Sequence, residues 1–155
     1  MHINLTQHEM MWAATTGVMR QLQNLKADRK DAYGASERSG WQYHIEGAMG
    51  ECAVAKALNI YWNGNLGKLQ AADVGELEVR TSSYQGGMMA LHPKDKNVSI
   101  FIHVNGVNGK YKIHGWCYGK EGKKDIYWDD LFNNKRPAFF VPNSILKPIE
   151  ELRSK

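Results

Sequence analysis

The sequence predicts an α+β fold, in which two N-terminal helices precede and flank a mixed, largely antiparallel β-sheet. Up to residue 59, apolar side chains recur at steps of three and four residues, the spacing of amphipathic helices. Beyond residue 59, they alternate with polar side chains in short segments bounded by Gly, Asn or Pro, which is typical of strands. Helices followed by a run of strands are an element order of α+β domains.

The first helix is predicted to begin at Thr6 and to end near residue 34. Thr6 and Glu9 have the spacing of a capping box, in which each side chain accepts the other residue's backbone N–H. The apolar positions that follow describe an amphipathic helix: Met11, Ala14, Val18, Leu22 and Leu25. Residues 34–42 are rich in Gly and Ser and are predicted to form a loop.

The second helix is predicted over residues 43–59. Its buried face is expected to contain Ile45, Met49, Cys52 or Ala53, and Ala57. Gly47 and Gly50 interrupt it, and each costs about 1 kcal/mol relative to alanine inside a helix. We therefore expect both glycines to allow close packing against another element.

Five strands are predicted after the second helix, in the segments IYWNG, ELEVRTS, MMALHP, NVSIFIHVNG and YKIHGWCYG. Residues 104–111 contain two Asn-Gly pairs between alternating apolar segments, which predicts a hairpin between the last two strands. Short elements in YWDDLF, PAFFVPNSIL and IEELRSK close the fold, the last of them helical.

Length and composition favour a single soluble domain. The 155 residues fit one domain, residues 1–155, and 43% of them are apolar, which suffices for one core. No apolar run approaches the roughly 20 residues that span a bilayer, and the N-terminus lacks a signal-peptide core. Cys52 and Cys117 show no disulfide spacing. The sequence therefore predicts a cytoplasmic protein without a membrane partner.

The charge balance favours polyanionic partners. Lys and Arg total 20 against 16 Asp and Glu, a formal net charge of +4. Lysines interleave with aromatic residues in the second half of the chain, a pattern that suits phosphate contacts and base stacking on nucleic acid, or a solvated face above a core. These residues are Lys94, Lys96, Lys110, Lys112, Lys120, Lys123 and Lys124, with Trp116, Tyr118, Tyr127 and Trp128.

One predicted strand is unusually rich in charge. Residues 71–84 read AADVGELEVRTSSY and bring Asp73, Glu76, Glu78 and Arg80 together. Because side chains alternate across a strand, Glu76, Glu78 and Arg80 share one face, opposite the apolar positions between them. This pattern fits either a half-solvated strand with cross-strand pairs or the acidic edge of a metal site.

Phosphodiester hydrolysis would explain the acidic residues. A divalent cation neutralises phosphate charge and activates water, and Mg²⁺ usually takes one or two carboxylates. Gly75 permits a turn that would return Asp73 towards Glu78, and Arg80 beside them would hold the phosphate.

A third carboxylate is expected from the second helix. Glu51 and Glu46 are the two candidates, and they lie about 140° apart around a helix, so we expect only one to face the site. Asp95, in the segment HPKDK, is a further acidic candidate at a strand edge.

At these residues the sequence resembles the PD-(D/E)xK nuclease superfamily. The motif of that superfamily is an Asp, a variable gap, then Glu or Asp, any residue, and Lys; here it corresponds to Asp73 and Glu78-Val79-Arg80. The segment GAMGECAVAKALN resembles the helix that precedes the motif and often contributes a Glu, here Glu51. Arg80 stands where Lys is usual.

The resemblance extends over residues 43–150. The stretches YKIHGWCYGKEG and PAFFVPNSILKPI are similar to those of small phage- and prophage-encoded members of the superfamily. A second departure from the motif is Ala72, since Pro is usual immediately before the Asp.

The resemblance implies a restriction-endonuclease-like core and Mg²⁺- or Mn²⁺-dependent cleavage of DNA, in the host-cell cytoplasm if the protein is phage-encoded. Asp73, Glu78 and Glu51 would bind the metal, and Arg80 would steady the phosphate, so that all four are catalytic. The alternative is an inactive nuclease-fold protein that binds nucleic acid or has a structural role in a phage, because Arg cannot shuttle protons as Lys can. The oligomeric state stays open, and a homodimer is one option.

Other enzyme classes lack their motifs. No G-x4-G-K-[S/T] loop indicates an NTPase, and no G-x-S-x-G turn indicates a serine hydrolase. His114 and Cys117 have a spacing seen in zinc sites, but no second pair matches it.

Overall fold

A computed structural model of the chain describes residues 1–27, 40–66, 72–84, 86–131, 133 and 136–153. Two long helices precede most of the strands, which form two sheets, so the predicted α+β class is confirmed. The helices and strands are β1 His2–Asn4, α1 Gln7–Lys26, α2 Gly40–Leu58, β2 Leu77–Ser82, β3 Met89–Leu91, β4 Ile100–Val107, β5 Lys110–Tyr118, α3 Gly119–Gly122, β6 Trp128–Asp129 and β7 Ala138–Val141. Short 3-10 helices cover Asp125–Tyr127, Asn143–Ile145 and Ile149–Leu152. No helix of the described part is long and apolar enough to cross a membrane.

The larger sheet has the strand order β1-β5-β4-β2 and is mixed. Strand β2 pairs in parallel with β4, whereas β4–β5 and β1–β5 are antiparallel. The predicted hairpin joins β4 to β5 through Asn108 and Gly109, whose φ angles of 53° and 80° are those that tight hairpin turns require. Strand β2 is left at the edge of this sheet.

The two faces of β2 contact different layers. Thr81 lies so close to Gly50 of α2 that a Cβ at Gly50 would stand 2.0 Å from the Thr81 hydroxyl oxygen. The opposite face of the larger sheet carries Phe101, which packs in a second core with Met89 and Val141 of the smaller, antiparallel sheet β3-β7-β6. Because side chains alternate, Glu78 and Arg80 of β2 project towards that second layer.

Helix α1 begins as predicted but buries an unexpected side. Thr6 and Glu9 form both hydrogen bonds of the capping box. The buried positions are Ala13, Thr16, Gly17 and Gln21, whereas Met11, Leu22 and Leu25 are 65%, 46% and 57% exposed. Small residues face α2 because the backbones approach closely: a Cβ at Gly17 would lie 2.5 Å from the Ile45 Cα.

Several predicted boundaries differ from the structure. Helix α1 ends at Lys26, and its predicted end near residue 34 lies outside the described residues, as does most of the predicted loop. Helix α2 starts earlier than predicted, at Gly40. The segment IYWNG is not a strand. Gly50 packs closely as expected, but a Cβ at Gly47 would meet no packed neighbour within 4 Å, so the close-packing prediction for Gly47 is wrong.

Candidate active site

Asp73 is fixed at the open edge of β2 by the turn that precedes the strand. Val74 and Leu77 exchange two backbone hydrogen bonds, of 3.0 and 2.9 Å, across a turn in which Gly75 has a φ of +61°. This turn folds Asp73 back along β2, where its Oδ2 accepts the Val79 backbone N–H at 2.7 Å. The expected return of Asp73 towards the strand at Gly75 is therefore present.

Arg80 is held in a defined position on the other side of the same strand. Its Nη2 lies 3.0 Å from Asp95 Oδ1, and its Nη1 lies 3.9 Å from Glu78 Oε2. The guanidinium also stands over the Phe101 ring, 4.9 Å from the ring centre. Asp95 is itself oriented, because its Oδ2 accepts the His92 backbone N–H at 2.9 Å. The predicted strand-edge acid Asp95 thus positions Arg80.

Glu51 is buried in α2 and forms an ion pair with an arginine. Arg20 of α1 donates to both of its carboxylate oxygens, at 2.6 and 2.7 Å. The Trp62 indole N–H donates to Oε2 at 3.1 Å, and Arg20 also donates to the Gly64 carbonyl at 2.8 Å. This bidentate, charge-assisted contact is of the strong kind and fixes the Glu51 side chain.

The carboxylates influence one another electrostatically. Burial, and to a smaller extent the charge of Asp73, raises the pKa of Glu51 to about 7 against the hydrogen bonds from Arg20. Burial also raises the pKa of Asp73, opposed by the Val79 N–H and Arg80. The pKa of Glu78 is raised by burial and then by the charge of Asp73. Asp73 therefore interacts with Glu51 on one side and with Glu78 on the other.

We name these acids the acidic cluster: Glu51, Asp73, Glu78 and Asp95. Its four carboxylates face two partly buried guanidiniums, Arg20 and Arg80. Two lysines also lie near the cluster: the exposed Lys96 near Glu78, and Lys123, whose ammonium donates to the Asp95 backbone carbonyl. The charge of Asp73 acts unfavourably on Glu78. A divalent cation would lower the repulsion between these two carboxylates.

The donor set fits a cation held by two carboxylates. In the part of the chain that the structure describes, no three or more His, Cys, Asp or Glu side chains are grouped so that they could hold one metal ion. Glu51 is already bonded by Arg20 and Asp95 by Arg80, which leaves Asp73 and Glu78 as the available pair. Mg²⁺ commonly takes one or two carboxylates and completes its shell with water and phosphate oxygens. Glu51 would join as a ligand only after Arg20 released it.

The remaining acidic candidates lie apart from the pair. Glu46 is bonded by the Gln42 side-chain amide at 2.8 Å, and its charge acts on Tyr111 of β5. Of the two helix candidates, Glu51 is thus the one beside Asp73. Glu76 belongs to the exposed turn before β2 rather than to the strand face.

The basic and aromatic residues of the second half of the chain have mixed roles. Trp116 is 4% exposed and belongs to the core, whereas Trp128 is 43% exposed. Lys123 donates to the backbone carbonyls of Pro93 and Asp95, so it fastens the segment that carries Asp95. Lys123, one of the lysines considered for nucleic-acid contacts, therefore makes structural contacts.

Arg20 and Trp62 were missed in the sequence. The signal for Arg20 was the spacing of α1, since it follows the buried Thr16 and Gly17 by one helical turn. Trp62 lies in an irregular segment whose aromatic residues suggested a strand. Neither carries a local motif, because each meets Glu51 only through tertiary packing.

Comparisons of the chain with protein-family models, with curated proteins and with solved structures found no match.

Proposed function

We propose that the protein is a divalent-metal-dependent deoxyribonuclease whose catalytic residues are Asp73, Glu78, Glu51 and Arg80. The observation that carries the proposal is the pair of partly buried, mutually repelling carboxylates at the edge of β2, Asp73 and Glu78, beside one firmly oriented guanidinium. A metal-dependent phosphodiesterase can use both features, a cation-binding acid pair and a fixed donor for the phosphate.

Each of the proposed catalytic residues would have a distinct role. Asp73 and Glu78 would hold Mg²⁺ or Mn²⁺, which when bound supplies charge neutralisation and an acidified water. Arg80 would donate to a non-bridging phosphate oxygen. Its orientation is fixed in advance by Asp95 and Phe101, so little reorganisation is needed when DNA arrives. Glu51 would assist the metal directly or through water.

The second candidate is a nuclease-fold protein that binds DNA without cutting it, or that has a structural role in a phage. The observation in its favour is that Arg20 donates hydrogen bonds to both carboxylate oxygens of Glu51. An internal guanidinium that permanently neutralises this acid would replace part of the charge that a metal supplies. Arg80 in place of Lys points the same way if the reaction needs proton transfer there.

The place of action follows from the same proposal. With a DNA substrate and two buried, free cysteines, we assign the protein to the cytoplasm, and to that of the host cell if a phage encodes it.

Incubation with supercoiled, linear duplex and single-stranded DNA, each with Mg²⁺, Mn²⁺ or EDTA, tests the proposal. We expect cleavage with a divalent cation and none with EDTA. DNA binding without cleavage under any metal would support the second candidate, especially if the affinity falls steeply with salt as phosphate contacts require. An absence of both cleavage and binding would reject the nuclease and the DNA-binding protein, and would leave only the structural role.

A further inference from the structure

A cavity of about 820 Å³ opens beside Arg80, lined by residues of both sheets. Arg80 and Ser82 of β2 and His103 of β4 contribute from the larger sheet, and Ala90 and Phe140 from the smaller one. Ligand sites commonly measure roughly 300–1,000 Å³, so the cavity is large enough for a nucleotide.

The lining of the cavity complements an aromatic ring attached to an anion. Its described lining residues include no Asp or Glu. Glu78 of the acidic cluster pairs with the lining residue Arg80. Arg80 and Arg136 supply cations, and Tyr84, Tyr43 and Phe140 supply aromatic surface. Tyr84 is 70% exposed, so its ring is available for stacking.

The wall that carries Tyr84 is anchored to the rest of the protein. The Asn105 side-chain amide donates to the carbonyls of Ser82 and Tyr84, at 3.3 and 3.1 Å. The Asn143 amide donates to the Gly87 carbonyl at 3.2 Å. These contacts hold the aromatic wall in place before any ligand arrives, which lowers the entropic cost of binding.

His103 lines the cavity, but its unpaired ring nitrogen is buried below the cavity surface. Because the Asn143 Nδ2 is committed to Gly87, its Oδ1 faces His103 Nδ1 at 2.6 Å, and Nδ1 must donate. Burial lowers the pKa of His103 to about 4, so the ring is neutral near pH 7 and Nε2 carries a lone pair. Nε2 has no hydrogen-bond partner among the described residues and almost no accessible surface, so a ligand in the cavity does not reach it in this structure.

We propose that this cavity binds the base of the nucleotide whose phosphate lies at Arg80. The ligand class rests on the proposed function, since a deoxyribonuclease brings a nucleotide to Arg80. The base stacks on the exposed ring of Tyr84. A base inside a duplex cannot enter the cavity unless it leaves the stack, so single strands and frayed ends bind better than a blunt duplex.

Binding of deoxyadenosine 5′-monophosphate and of deoxyribose 5-phosphate to the full chain, compared by calorimetry in EDTA, tests the cavity without any cleavage. We expect the nucleotide to bind about 5- to 150-fold more tightly than the sugar phosphate, because stacking one base on an aromatic side chain contributes about 1–3 kcal/mol. Equal affinities would overturn the proposal.

Matched variants locate the binding. Tyr84→Ala should weaken nucleotide binding about tenfold, whereas Tyr84→Phe should bind like the parent, because stacking needs the ring and not the hydroxyl. Tyr61→Ala is the control, since Tyr61 is 88% exposed and lies outside the cavity lining. An equal loss in Tyr61→Ala, or no loss in a folded Tyr84→Ala, would contradict the assignment.

The outcome separates this inference from the nuclease proposal. Nucleotide binding that depends on Tyr84, in a protein that cleaves no DNA with any metal, would retain the cavity and reject the nuclease. Metal-dependent cleavage without any preference for the nucleotide over the sugar phosphate would retain the nuclease and reject the cavity.

Discussion

Oδ2 of Asp73 accepts the Val79 N–H, so this side chain both fixes the turn before β2 and contributes charge to the acidic cluster. Substitution by Asn separates the two roles. An amide oxygen still accepts from Val79, but it is neutral and a poorer ligand for a hard cation.

Asp73→Asn should therefore keep its melting temperature in EDTA and lose most of its Mn²⁺ affinity, with cleavage reduced about a hundredfold or more. Calorimetric titration with Mn²⁺ and a thermal melt measure both effects. Asp125→Asn, at an exposed aspartate, is the control and should match the parent. A large drop in the melting temperature of Asp73→Asn would mean that the carboxylate is structural.

Substitutions at Arg80 provide a second test of the proposed site. If it clamps the phosphate, Arg80→Ala should lower the single-turnover cleavage rate by about 10²–10³-fold, with only slightly weaker DNA binding. Some stability should be lost as well, since Asp95, whose side chain is 7% exposed, would keep its charge without its partner.

Arg80→Lys should recover much of the activity, because a point charge can serve the same phosphate oxygen. If both variants cleave as fast as the parent, Arg80 has no role in the reaction. If the parent never cleaves and Arg80→Lys does, the protein is an inactive descendant of a nuclease and its present role is binding.

Among the elements, α1 and α2 approach each other through small residues, and the glycines of the pair differ in their surroundings. A Cβ at Gly17 would meet the backbone of Ile45, and one at Gly50 would meet Thr81, whereas Gly47 faces open space. The close approach brings Arg20 within reach of Glu51, so helix packing and site geometry are linked.

Gly17→Ala should lower the free energy of unfolding by about 1–3 kcal/mol, since the backbone contact cannot yield. Gly47→Ala is the matched control and should raise it by up to about 1 kcal/mol through helix propensity alone. Urea denaturation measures both changes. Equal effects of the two substitutions would show that the helices are not in close contact at Gly17.

The elements also show which features were predictable. Local signals predicted the capping box, the Asn-Gly hairpin and the turn at Gly75, because a few adjacent residues determine each of them. The apolar spacing of α1 did not identify its buried side, since close helix packing selects small residues instead. The pairing of Arg20 with Glu51 depends on contacts between distant parts of the chain, so no local sequence motif predicts it.

For the molecule as a whole, the acidic cluster predicts a pH-dependent stability. Glu51 ionises near pH 4.5 when unfolded, whereas its pKa in the folded protein is about 7. Between these values the folded protein binds more protons than the unfolded chain, so its stability falls as the pH rises through this window. His103, with its lowered pKa, contributes a change of opposite sign.

The comparison of parent and Glu51→Gln isolates the contribution of Glu51, because His103 is common to both. In EDTA, the melting temperature of the parent relative to Glu51→Gln should decrease from pH 5 to pH 8. Mg²⁺ should stabilise the parent more at pH 8 than at pH 5, when more carboxylates are ionised. Parallel pH profiles for the two proteins would contradict the raised pKa.

The most direct test of the metal site is a crystal of the protein soaked in Mn²⁺ and measured at the manganese absorption edge. We expect an anomalous peak between Asp73 and Glu78, at about the 2.1 Å coordination distance of a small hard cation. Crystals that show no manganese at these carboxylates while the same protein cleaves DNA with Mn²⁺, or that place the ion elsewhere, would contradict the assigned site.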